Sequence, residues 1–161
     1  MRKKIEVTIN DTESRDNGKT YIIEEMPAFQ AENWCYKALG AIIRSGVDGL
    51  ENILDYPSEQ MAILGLAALL RTKEEELMPL MHELMSCVSF KVESNLQPKD
   101  VSAPIKINRR VTDFYLDKNY VDIEEISTLI KLRAEVFKLH LGFLKAVKDM
   151  IFQNYIGQKA G

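Results

Sequence analysis

A helical pattern of unusual length dominates the C-terminal third of the chain. From Val121-Asp122 to about Tyr155 apolar residues recur at helical spacing, interrupted only by Gly142. Asp122 has the chemistry of a helix cap. Glu124 and Glu125 fall in the first turn, where the helix dipole favours acids. At 1.5 Å per residue this helix is roughly 50 Å long, whereas a globule of 161 residues is about 40 Å across. The spacing therefore predicts that the helix breaks near Gly142 or that its end projects.

The rest of the chain must supply something for that helix to pack on. Ile5, Val7 and Ile9 alternate with Glu6, Thr8 and Asn10, which reads as a half-buried strand. A polar, turn-rich stretch (11–18) leads to a second strand over Thr20 to Glu25, and the two make a loose hairpin. An isolated hairpin is marginal in water, so its apolar face needs helices. Pro27 suits a first helical turn. Ala31, Trp34, Cys35, Ala38, Leu39, Ile42 and Ile43 then follow at helical spacing, with Gly46 as the stop. Gln30, Asn33, Lys37 and Arg44 take the other face.

A short helix over Gly49 to Leu54 is a further candidate, and another helix begins after Pro57, with Ser58 as its cap, running to about Arg71. Its core, Met61 to Leu70, is apolar all round, so it is central or covered by a partner. Thr72-Lys-Glu-Glu75 has capping-box form, but Pro79 conflicts with a start there, because its ring clashes with the Glu75 carbonyl. Either the helix kinks or it starts near Leu77; we favour the later start, with an end near Cys87. Val88 to Val92 is a candidate short strand, Glu93 to Arg109 reads as a long loop, and 110–120 is ambiguous.

The expected fold is mainly α with a small N-terminal β-hairpin (α+β): a compact helical domain with a long C-terminal helix. Residues 1–161 form one domain, divided into hairpin (1–26), helical core (27–92), irregular segment (93–120), long helix (121–155) and tail (156–161).

Charge and motifs exclude several function classes. The net charge is −3, so the basic surplus of a nucleic-acid binder is missing, and Arg109-Arg110 reads as a solvated loop. Met1-Arg2-Lys3-Lys4 is followed by alternation and not by an apolar run, so it is no signal peptide. Met61 to Leu70 is about half of what spans a bilayer. These features predict a soluble cytosolic protein without a membrane or nucleic-acid partner. Cys35 and Cys87 match no metal spacing and read as buried thiols. With two histidines, His82 and His140, no phosphate loop and no nucleophile elbow, neither an enzyme nor a cofactor is expected. Glu74, Glu75 and Glu76 read as a solvated helix start, and His82 and Cys87 point to different helix faces.

Two polar residues and one stripe remain as candidates. On the long helix, Leu129, Val136, Phe143 and Met150 form one column and Ile130, Phe137, Leu144 and Ile151 another. Ile126, Arg133, His140 and Val147 lie between them. Arg133 and His140 thus sit mid-stripe as structural polar residues. A guanidinium there needs a partner, either an acid such as Glu24, Glu25 or Glu32 or a bound protein. Leu77, Leu80, Met81, Leu84 and Val88 form a second stripe, with Met78 and Met85 beside it. Methionine repacks readily around varied apolar partners, so this stripe is either core or a binding groove; Leu77, Met78, Met81, Leu84 and Met85 are the candidate partner-binding residues.

Two stretches also carry a family resemblance. One is Tyr21-Ile-Ile-Glu-Glu-Met-Pro-Ala-Phe-Gln-Ala-Glu-Asn-Trp34, where Met26, Pro27, Ala31, Glu32 and Trp34 mark a strand running into a helix. The other is Leu132-Arg-Ala-Glu-Val-Phe-Lys-Leu-His-Leu-Gly-Phe143, with Ala134, Glu135 and Phe137. With Leu80 to Val88 between them, they resemble the tail assembly chaperones of siphophages and related prophages. The resemblance implies a non-enzymatic protein of the bacterial host cytoplasm, absent from the mature virion. Its implied partners are the tape measure protein, whose hydrophobic segments it binds, and the tail tube protein. A structural or connector protein of the tail or head–tail junction is the alternative. The sequence leaves the oligomeric state open.

Overall fold

The strand alternation near the N-terminus and the helical periodicities that follow appear where the sequence places them in a computed structural model. It describes residues 1–46, 52, 55–91, 108–110 and 122–159. The element order is β1 (Lys4–Thr8), β2 (Thr20–Glu24), α1 (Ala28–Arg44), α2 (Ser58–Leu69), α3 (Glu74–Met85), β3 (Val88–Lys91), β4 (Asn108–Arg110) and α4 (Ile126–Lys159). The fold is mainly α with a small antiparallel sheet that begins as an N-terminal hairpin. The expected helix at 49–54 and most of the 93–120 segment lie outside the described residues.

Two compact units emerge: Met1–Glu25 with Met81–Val136, and Met26–Leu80 with Phe137–Gly161. The first holds the sheet, in the order β1-β2-β3-β4, all neighbours antiparallel. β2 pairs on both sides, and its alternate residues Tyr21 and Ile23 are fully buried. The Tyr21 ring tilts against Phe90 on β3 at 5.7 Å. β1 registers Lys4 with Glu24 and Thr8 with Thr20, whose hydroxyls share a 2.9 Å hydrogen bond. β4 corrects the expected loop at Arg109-Arg110: a three-residue edge strand is fixed by backbone pairing to β3, which side-chain pattern does not encode.

The second unit holds α1 and α2. Both follow a proline in extended conformation, Pro27 (ψ 145) and Pro57 (ψ 149). Their carbonyls accept the first helical amides, from Ala31 and Met61, each at 2.9 Å. Ser58 is therefore the first helical residue and not the cap. Gly46 ends α1 with φ +73, the left-handed conformation that costs glycine least.

α3 begins at Glu74, five residues before Pro79, which overturns the later start near Leu77. The first-turn amides of Glu76 and Leu77 bond the Lys73 carbonyl, and three acids line a turn where the dipole favours them. Thr72 does not cap this helix; its hydroxyl donates back to Leu69 at the end of α2, 2.7 Å away.

α4 runs unbroken through Gly142 and on to Lys159, so of the two expected outcomes the break is absent, and the expected tail at 156–161 is helical to residue 159. Its inward face rotates along its length. Thr128, Leu132 and Val136 are buried first, then Phe137, His140 and Leu141. That rotation leaves Ile126 and Ile130 exposed, though a single straight stripe would have covered them. The expected cap, Asp122, lies four residues before the helix and is 2% exposed. Its carbonyl accepts the Tyr21 hydroxyl. No helix among the described residues is long and apolar enough to cross a membrane.

Candidate partner-binding surfaces

The start of α4 is capped from far away in sequence. Asp16, in the β1–β2 loop, is fully buried and takes the role expected of Asp122. Its carboxylate accepts the amides of Glu124 (3.0 Å) and Glu125 (2.9 Å) and the Lys19 ammonium (2.7 Å). Burial alone raises the Asp16 carboxyl. Hydrogen bonds from Lys19, the Glu124 amide, Thr128 and the Glu125 amide outweigh it and hold the group below the usual carboxylate range. Arg15 adds a salt bridge to Glu125 at 2.7 Å and a bond to the Glu124 carbonyl at 2.9 Å. Every polar group here is used in folding, so this is a structural clamp.

The residues that carry the family resemblance also meet one another inside the second unit. The Met26 amide donates to His140 Nε2 at 2.8 Å, with both residues buried. The imidazole therefore presents a lone pair there. Trp34 is 3% exposed; its Nε1 donates to the Leu80 carbonyl at 3.1 Å, and its ring meets Phe137 edge-on at 5.9 Å. Pro27 is exposed, Ala31 buried and Glu32 half-buried. In the first unit Ala134 and Glu135 are half-buried, and so is Arg133, whose Nε is enclosed. Of the acids considered for Arg133, Glu24 is engaged by Arg2 at 2.6 Å and Lys4 at 3.3 Å. His82 is exposed while Cys87 is buried, and burial pushes the Cys35 thiol up to about 12. Among the described residues no group of three or more His, Cys, Asp or Glu forms a metal site.

The methionine stripe of α3 is mostly core. Met81, Leu84 and Met85 are 5%, 0% and 5% exposed, so they do not line an open groove. Only Met78 is exposed, at 47%, with Leu77 half-buried. The stripe is the inward side of an amphipathic helix, and methionine content alone does not distinguish core from groove.

The open apolar faces lie on α2 and α1 instead. α2 turns inward Met61, Ala62, Gly65, Ala68 and Leu69, mostly small residues, and outward Ile63, Leu64 and Leu70. Gly65 explains the orientation: a Cβ there would fall 2.5 Å from Phe137 Cζ, so the ring occupies the space a side chain would need. α1 buries Ala31, Trp34, Cys35, Ala38, Ala41 and Ile42, and exposes Phe29, Tyr36 and Ile43. Ile43 was expected inside. The exposed α1 face was missed, though its signal was there, since these three residues recur every seven positions. The α2 face left no such signal, because a helix apolar all round has no preferred side. No protein-family model, curated protein or solved structure matches the chain.

Proposed function

We propose that this chain is a tail assembly chaperone of a long-tailed bacteriophage or prophage that binds hydrophobic segments of the tape measure protein. The observation that carries the reading is the outer side of α2, which presents Ile63 and Leu64, with Leu70 just past its end, to solvent. Large apolar side chains on one exposed helix face mark an interaction surface. The binding site moves accordingly, from Met81, Leu84 and Met85 to the outer side of α2. The ordered motifs over Tyr21–Trp34 and Leu132–Phe143 support the family. In this reading the protein is no enzyme and needs no cofactor. It works in the cytoplasm of the bacterial host, helps recruit the tail tube protein and is absent from the finished virion.

Co-expression tests it. The tape measure protein should aggregate alone, stay soluble with this chain, and aggregate again with an Ile63→Glu/Leu70→Glu variant that still folds. The complex should survive high salt, because screening weakens exposed charge pairs and not apolar burial. Equal precipitation with and without the chain overturns the proposal. Recovery of the chain from purified particles favours the connector alternative.

A further inference from the structure

We infer that the outer face of α1 docks a second copy of this chain, the two helices lying side by side as a short parallel coiled coil. The inference stands apart from the chaperone reading and concerns a different helix face.

α1 has two faces with different duties. In a heptad frame with Phe29, Tyr36 and Ile43 at d, its six buried residues Ala31, Trp34, Cys35, Ala38, Ala41 and Ile42 fall only at b, c and f. Those positions face water in a free coiled coil and here meet the protein's own core. The seam and its flanks, a, d, e and g, are left outside. At d, Phe29, Tyr36 and Ile43 are 84%, 55% and 67% exposed. The a positions are Asn33, exposed, and Gly40, half-exposed. Glu32 stands at g and Lys37 at e.

Charge and register select a second copy as the occupant. In a parallel pair, g of one helix meets e of the other five residues further on. Glu32 then faces Lys37 of the other copy, and symmetry repeats the pair. In an antiparallel pair centred on Tyr36, e meets e, and Lys37 opposes its own counterpart. Arg44 is already held by Glu76, which leaves Glu32, whose carboxylate accepts the Tyr36 hydroxyl of its own helix at 3.5 Å, and Lys37 as the matched edge. Asn33 at a pairs with its own copy across a two-fold axis, the device by which a single polar a residue fixes a two-stranded register. Gly40 at the next a carries no side chain of its own, and the Arg44 guanidinium lies beside it, Nη1 3.0 Å from where a Cβ would stand. A foreign apolar segment has no cause to match these groups, whereas a copy supplies each of them.

The helix spans 17 residues, about 25 Å. It is already folded by its inner face, so association bears no helix-nucleation cost. Dimerisation should nonetheless depend on concentration, because the seam is short.

Sedimentation equilibrium of the full chain, from micromolar to several hundred micromolar, tests this. A reversible monomer–dimer equilibrium is expected. Tyr36→Lys should weaken it by about a hundredfold or more with unchanged circular dichroism. Glu32→Lys should weaken it by about fivefold, and Glu32→Lys/Lys37→Glu should restore it. Asn33→Cys should cross-link as a dimer under mild oxidation, since parallel a positions face each other. A chain monomeric throughout, a dimer indifferent to Tyr36→Lys, or a charge swap that fails to rescue overturns the inference. So does a monomer that instead binds an apolar helical peptide through Tyr36.

Discussion

The two compact units are held by different physics. In the first, a fully buried carboxylate, Asp16, gathers an ammonium and two helix amides, so the start of α4 is fixed by charge and direction. In the second, Gly65, Phe137 and Trp34 interlock by shape, with the Met26 amide donating to His140 and, among the described residues, ion pairs only at the surface. A charge-held junction is specific but depends on ionisation. A shape-held contact such as Trp34 on Phe137 carries no charge and is intolerant of added or removed volume.

Three substitutions can break or sharpen that contrast. Trp34→Ala should have the largest effect, about 3–5 kcal/mol, because it empties a buried site and removes the edge contact with Phe137. Denaturant titration should show the same deficit at pH 7 and at pH 4. Asp16→Asn should cost about 2–4 kcal/mol at pH 7, since it removes the buried charge that Lys19 and two helix amides bond, leaving Lys19 its 3.2 Å pair with Glu124, and weakens the helix cap. Here the deficit should depend on pH. The Asp16 carboxyl is held below its ordinary range, so its contribution is complete above the unfolded value near 4 and disappears as pH falls through the folded value. Acid titration of wild type and variant should therefore converge at low pH; parallel curves would show that the clamp is not electrostatic. Gly65→Ala should have the smallest effect, a net loss of about 1–2 kcal/mol. Alanine improves helix propensity, but its methyl meets the Phe137 ring. Combining it with Phe137→Leu should recover part of the loss, and an unchanged melting temperature in the single variant would mean that the ring yields freely.

What could be read from sequence follows the range of the forces involved. The hairpin, α1 and the long helix were legible because period-two and period-3.6 patterns record which side of an element is buried. His140 was legible as a polar residue within an apolar stripe. The cap of α4 was not, because Asp122 has the right chemistry beside the helix while Asp16 acts from 108 residues before Glu124. β4 was missed because three residues held by backbone pairing leave no side-chain signature. The open surface was placed on α3 because methionine suggests adaptability. Met78 is exposed there, but most exposed large apolar side chains lie on or beside α1 and α2, and the Phe137 ring over Gly65 that orients α2 is a contact no local pattern contains.

The separation between Asp16 and its amides has a consequence for synthesis on the ribosome. At roughly 5–20 residues per second, the 108 residues between Asp16 and Glu124 take roughly 5–20 seconds to emerge. Throughout that interval the loop carboxylate lacks its amides, and until β3 emerges at Val88 the nascent hairpin offers the open edge of β2 to other chains. Lys3, Lys4 and Glu6 sit at or beside β1, where charge discourages strands from adding to an edge. β1 remains an edge of the finished sheet, so the same charges serve from the first emergence of the hairpin onward.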